Sequence, residues 1–185
     1  SPDGSKIAFV STRTGNAEIF VMNANGSNQV NETNHSATDT SPDWSPDGTT
    51  IAFDSTRGGG LNIWTMTSTG GSPTKRTTGL GRAQAPAWSP SGAKIAFVSD
   101  SSGRDQIWTM NANGSSPARL ANDAGTHTHP SWSPDGSKIA YANTASGRNQ
   151  IWVINQNGSG ASATAARMRS AHAIEAFRHS TAYDA

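Results

Sequence analysis

His127-Thr128-His129 is the sharpest chemical pattern in the sequence. On an extended chain the side chains at i and i+2 point the same way, so two imidazoles here could share a metal ion. A metal site needs a third ligand, and none is spaced to serve. The plainer reading is a pair of polar loop residues, and no metal and no cofactor are expected. Catalytic signatures are otherwise missing. Gly70-Gly71-Ser72-Pro73-Thr74 and Gly114-Ser115-Ser116-Pro117-Ala118 resemble a nucleophile elbow but lack its last glycine. There is no phosphate-binding loop and no His-Glu-x-x-His zinc motif. Asp3, Asp47 and Asp135 have the look of calcium-loop ligands, but Ser91 replaces them in a fourth, otherwise similar string. Turn chemistry explains all four. The Asn-Ala-Asn-Gly segments at 23–26 and 111–114 lack the carboxylates that calcium requires.

The elements that must position these residues are set by an internal repeat. Ser-Pro-Asp-Gly begins at Ser1, Ser45 and Ser133, with Ser-Pro-Ser-Gly at Ser89, so every step is 44 residues. The tryptophans keep the same period. Trp44, Trp88 and Trp132 form one set, and Trp64, Trp108 and Trp152 the other, with Phe20 in the first copy. A period of this size with several strands per copy points to the blades of a β-propeller.

One copy reads as four short antiparallel strands. Pro86-Ala87-Trp88 ends the first. Ser89-Pro90-Ser91-Gly92 is a turn, Pro presetting φ and Gly supplying a positive φ. Lys94-Ile95-Ala96-Phe97-Val98 is a nearly continuous apolar run, as expected of a strand buried on both faces. Gln106-Ile107-Trp108-Thr109-Met110 is the third strand, and Asn111-Ala112-Asn113-Gly114 the hairpin turn after it. Pro117-Ala118-Arg119-Leu120 is a weak outer strand, whose Pro and Arg suit an exposed edge. A single blade could not hide two apolar faces, so the copies must stack. The tryptophans are then core between blades, in preference to ligand-stacking platforms.

The string from Pro130 to Tyr141, with Gln150-Ile151-Trp152-Val153-Ile154-Asn155, resembles the WD40-like Pro-Asp-Gly repeat of TolB-type β-propellers. The same pattern runs from Trp44 to Phe53 with Ile63 to Met66, and from Trp88 to Phe97 with Ile107 to Met110. The resemblance covers about residues 1–160. It implies an all-β propeller, typically of six to eight blades. It also implies an exported bacterial protein, periplasmic or extracellular, in assemblies such as the Tol–Pal system. Related propellers gate prolyl-oligopeptidase-like enzymes, and others are pectate-degrading lyases with a His-ligated metal.

The expected organisation is therefore four blades of 44 residues (1–44, 45–88, 89–132, 133–176), alone or as part of a larger ring. Residues 161–185 form a divergent Ala-rich tail. There, Ser170 to Phe177 is read either as a strand that closes the first blade or as part of a helical or disordered tail over 165–179. The chain opens in mid-repeat, which places its natural start elsewhere. Three arrangements stay open: a ring closed by four blades, an arc of a longer chain, and a ring completed by a second copy.

Alternating strands put the Ser-Pro-Asp-Gly and Asn-Gly turns on one rim, nearly invariant among copies. The other rim carries the loops 11–18, 55–62, 99–106 and 143–150 and the links 32–41, 76–85 and 120–129, which vary. Binding usually sits on variable loops held by a rigid scaffold. The candidate binding residues are Asp39, Arg82, Gln84, His127 and His129, all on that rim; Asp39 and His127 occupy the same repeat position. Arg13 and Arg57 share one position, Arg104 and Arg148 another, and read as surface ion pairs.

The formal net charge is +1 with 15% charged residues, so nucleic acid is not an expected partner. No cysteine is present, no secretory signal is visible, and no apolar run is long enough to span a membrane. The sequence points to a non-catalytic interaction or assembly propeller with a protein partner or a second copy of itself. The alternatives are the gating propeller of a peptidase and a metal-dependent polysaccharide lyase.

Overall fold

The computed structural model describes residues 1–167, all of whose regular structure is β. Four antiparallel sheets follow one another along the chain. Sheet 1 contains β1 (Lys6–Ser11), β2 (Glu18–Asn23) and β3 (Val30–Asn31). Sheet 2 contains β4 (Asp39–Trp44), β5 (Thr50–Ser55), β6 (Asn62–Thr67) and β7 (Thr74–Lys75). Sheet 3 contains β8 (Ala83–Trp88), β9 (Lys94–Ser99), β10 (Gln106–Asn111) and β11 (Ala118–Arg119). Sheet 4 contains β12 (His127–Trp132), β13 (Lys138–Asn143), β14 (Gln150–Asn155) and β15 (Ser162–Arg167). Each sheet is one propeller blade.

The blade frame is offset from the sequence repeat. A repeat starts at the Ser-Pro-Asp-Gly turn, so its last segment is the first strand of the next blade. Sheet 1 accordingly has three strands and the others four. At the other end, β15 extends sheet 4 to Arg167, into the segment read from sequence as tail. Residues 165–167, the start of the suggested helix, are strand. The suggested closing strand at 170–177 lies outside the described residues.

The turns follow from their chemistry. In Ser45-Pro46-Asp47-Gly48 the Asp47 carboxylate accepts from Ser45 Oγ at 2.5 Å and from Thr49 N at 3.1 Å, and Gly48 takes φ 72°. The Ser45 hydroxyl lowers the Asp47 pKa. The same hydroxyl-to-carboxylate bonds hold Asp3 and Asp135 at about 2. In the third copy Ser91 Oγ accepts from Ala93 N at 3.3 Å, so a hydroxyl does the carboxylate's work.

The core lies between sheets. Ile51, Ile95 and Ile139 hold one repeat position in β5, β9 and β13, and all are fully buried. Each such side chain stabilises the fold by about 2 kcal/mol. Ala96 and Val98 of sheet 3 pack with Trp132, Ile139 and Tyr141 of sheet 4. Ala52 of sheet 2 packs with Ile95 and Phe97 of sheet 3. Ile19 and Val21 of sheet 1 meet Ile51 and Phe53 of sheet 2. The indole Nε1 of Trp132 crosses an interface to donate to Ala87 O at 3.0 Å. The tryptophan set of Trp44, Trp88 and Trp132 is thus inter-blade core, and the first strands β4, β8 and β12 pack side by side.

Candidate functional site: the variable rim

Two sets of hydrogen bonds define the rims. The turn before β5 and the turn after β6 join through Ser68 N to Thr49 O at 2.8 Å, and the matching pair in sheet 3 joins through Ala112 N to Ala93 O at 2.9 Å. These turns share one end of the sheets. At the other end Thr56 N donates to Thr38 O at 3.0 Å and Asp100 N to Arg82 O at 3.2 Å, joining each β–β loop to the link before its blade. This second end carries all five candidate residues.

A β-bulge decides how those residues face. Thr40 is paired with Asp54 and Asp43 with Ala52, so β4 holds one residue more than β5 across this stretch. β8 is bulged between Gln84 and Ala87, and β12 between Thr128 and Ser131. Ser41, Ala85 and His129 sit in the bulges with φ of 54°, 53° and 53°. The extra residue breaks the period-two alternation of side chains. The expectation that His127 and His129 point the same way therefore fails: His127 is buried and His129 is exposed. They do not form a shared metal site. Among the described residues no three His, Asp or Glu side chains gather around one point.

Asp39 and His127 do hold equivalent places, and each is locked into a different buried cluster. Asp39 is fully buried and pairs with Arg57 Nη2 at 2.5 Å; the Arg57 side chain is only 9% exposed. The Arg57 guanidinium carbon lies 5.3 Å from the Phe53 ring centre and 5.5 Å from that of Trp64, in cation–π contact with both of these cross-strand neighbours. Arg57 also donates from Nε to Ser55 Oγ at 3.0 Å. The Arg57 pair is thus an interior one, not the surface pair expected from sequence.

His127 Nε2 lies 3.0 Å from Asp123 Oδ1, and its ring packs on Tyr141 with centroids 4.7 Å apart. Asp123 also accepts from Gly125 N at 2.7 Å and from Asn143 Nδ2 at 3.0 Å. Burial pushes the His127 imidazole below its ordinary value, against the opposing pull of Asp123. Burial works to raise Asp123, but the bonds from Gly125 and His127 win and its pKa falls. Burial likewise raises the Tyr141 phenol. The Asp123–His127–Asn143 cluster ties the link before β12 to the end of β13. In sheet 3 the same position is Ala83, fully buried, with neither charge nor partner.

Arg82, Gln84 and His129 lie further out. Arg82 Nη2 donates to both carboxylate oxygens of Asp105, at 2.9 and 2.8 Å, and its backbone N donates to Asp100 Oδ1 at 2.7 Å. The Asp105 contact raises the Arg82 pKa. With Gly103, Arg104 and Thr126 these groups line an open depression of about 480 Å³. Gln84 is half-buried and His129 exposed, on neighbouring first strands. Arg13, the counterpart of Arg57, lies 4.6 Å from the Phe20 ring centre and donates to Gln29 Oε1 at 2.5 Å. Arg104 donates to Ala124 O at 2.5 Å.

Sequence reasoning missed two carboxylates that staple blades together. Asp54 is buried in β5 and reaches sheet 3, where Ala85 N donates to it at 2.8 Å. Asp43 accepts from Trp88 N at 2.6 Å. The one available signal was an acid in an otherwise apolar strand: Asp54 stands where other copies have Val10, Val98 and Ala142.

Comparison with known proteins agrees with this architecture. Solved structures with the same fold include a TolB-type protein of Agrobacterium tumefaciens. It is 26% identical with a TM-score of 0.80, over 88% of this chain and 62% of that one. TolB of Acinetobacter baumannii is 25% identical with a TM-score of 0.73, over 88% of this chain and 41% of that one. An oligogalacturonate lyase of Vibrio parahaemolyticus shares the fold at 14% identity and a TM-score of 0.65, over 88% of this chain and 50% of that one. The chain spans less than two thirds of each of these proteins. No curated protein sequence matches. The TolB beta propeller domain profile matches residues 1–83 and 78–176. These four blades, with their Pro-Asp-Gly turns and inter-blade tryptophans, belong to the TolB beta propeller domain family.

Proposed function

We propose that this chain is a non-catalytic protein-interaction propeller that binds its partner through the variable rim. The observation that carries the reading is the contrast in how that rim is built. Its buried layer, Asp39–Arg57 in sheet 2 and Asp123–His127 in sheet 4, holds the loops rigidly. Above it, Arg82 and His129 are exposed and Gln84 half-buried, all differing from copy to copy. A fixed base under varied polar side chains is the construction that recognition surfaces use. The similarity to TolB propellers supports an interaction role, and the family resemblance implies a periplasmic or extracellular setting.

The lyase alternative loses its one motif, since His127 and His129 face apart. A photo-cross-linking residue at Gln84 or His129, and as control at Asp47 or Ser137 on the opposite rim, tests the proposal in the cells of origin. A protein captured reproducibly from the variable rim, and lost when Arg82 and His129 are replaced by alanine, is the expected result. Capture from the opposite rim alone, or none from either, overturns it.

A further inference from the structure

We propose that sheet 3 binds one ordered internal water molecule beside Ala121, bridging the Ile107 amide and the Gln106 side chain. The site lies in the interior of the scaffold, apart from whatever the rim binds. Thr33, Thr77 and Ala121 hold one repeat position, just after the outer strands β3, β7 and β11. In sheet 1 the Thr33 hydroxyl accepts from Ile19 N at 3.0 Å and donates to Glu18 Oε2. In sheet 2 the Thr77 hydroxyl accepts from Ile63 N at 3.0 Å and donates to Asn62 Oδ1 at 3.1 Å. Ile107 and Gln106 are the counterparts in sheet 3, but Ala121 has no hydroxyl to stand between them.

The backbone frame around this position is shared by the three sheets. Ile19 O, Ile63 O and Ile107 O accept from Glu32 N, Arg76 N and Leu120 N at 2.9, 2.8 and 2.9 Å. Ile107 N therefore faces residue 121 as Ile19 N faces Thr33. The Gln106 side chain is aimed as that of Glu18 is. Glu18 turns Oε1 to the link, accepting from His35 N at 2.8 Å, and Oε2 to the threonine. Gln106 turns Nε2 to the link, donating to Gly125 O at 2.8 Å. That leaves its Oε1 toward Ala121, buried and without a protein partner. Gln106 and Ala121 are each 2% exposed, so bulk solvent does not serve them.

The chemistry selects the occupant. It must accept from an amide N–H and donate to an amide oxygen, as the threonine hydroxyl does in sheets 1 and 2. A metal cation cannot accept, and an anion without a proton cannot donate. Water does both, and buried waters take this role between otherwise unpaired polar groups. The apolar neighbours of Ala121, among them Trp132 and Tyr141, offer the Gln106 oxygen nothing. The bridge matters to the rim because Gln106 holds the link before β12. Gly125 of that link donates to Asp123, the partner of His127. Sheet 3 thus fixes its link through an exchangeable molecule where sheets 1 and 2 use a hydroxyl of the chain.

The test uses the whole chain and two variants of the same shape, Ala121→Thr and Ala121→Val. A crystal structure fine enough to show ordered water is expected to place a density peak within hydrogen-bond distance of Ile107 N and Gln106 Oε1. In Ala121→Thr the new hydroxyl should occupy that place. Ala121→Val displaces the water without replacing its bonds, and should melt roughly 5 °C below Ala121→Thr. An ordered site without the peak overturns the proposal, as does Ala121→Val as stable as Ala121→Thr. If both variants melt well below the parent by the same amount, the neighbours have closed over the position and the proposal fails.

Discussion

The starts of β4 and β12 occupy the same place in the repeat, yet they are stabilised in different ways. At Asp39 an ion pair with Arg57 is closed off, and Arg57 lies over the neighbouring rings of Phe53 and Trp64. At His127 a neutral imidazole sits on Tyr141 and shares Asp123 with Asn143. Ala83, between them in the sequence, does without either. The scaffold therefore requires only that the position be filled and buried. Polar groups are tolerated there when the neighbouring loop supplies a partner, because a lone buried charge costs several kcal/mol.

The comparison can be broken most severely at Ala83. Ala83→Asp buries a carboxylate where Ser101 stands in place of arginine, and should cost about 4 kcal/mol. Adding Ser101→Arg should recover a large part of it, as measured by urea unfolding. A single variant as stable as the parent would show that the site is wetter than its burial indicates. Next in size is Asp39→Ala, which leaves the Arg57 guanidinium nearly buried and unpaired. The expected loss is about 3 kcal/mol, a fall of roughly 10 °C in Tm by circular dichroism.

The His127 cluster should also respond to acid. Burial depresses His127 in the folded state, below its ordinary 6.5. The unfolded chain then takes up that proton first, so stability is complete above about 6.5 and declines as pH falls below it. His127→Gln should flatten the stability profile between pH 7 and 5. If the parent profile is already flat there, His127 does not hold its proton affinity down. Smallest of all, Gln84→Ala and His129→Ala should each change stability by about 0.5 kcal/mol or less, since these side chains lie at the surface. A larger loss would make them part of the scaffold.

Much of the blade is legible in the sequence because its signals are local. Ser-Pro-Asp-Gly closes its own turn through Asp47 or Asp135, and the apolar run of β9 announces a strand buried on both faces. The site is less legible for three physical reasons. The bulge at His129 is a backbone state that no residue type there demands, and it undoes the i, i+2 inference. The Asp39–Arg57 pair joins residues eighteen apart, and the repeat puts arginine at the same place in sheet 1, where its partner is Gln29. Asp54 meets its acceptor-seeking amide at Ala85 only because another blade is stacked against it.

By itself the sequence determined the period, the order of strands, the chemistry of the turns and the division into a constant and a varied rim. Each of these rests on contacts between residues near in the chain, repeated without insertion. The tertiary structure alone decided which rim residues are buried and which are exposed, and that carboxylates pin neighbouring blades. Those outcomes depend on what one blade places against the next, and spacing along the chain carries no measure of that distance.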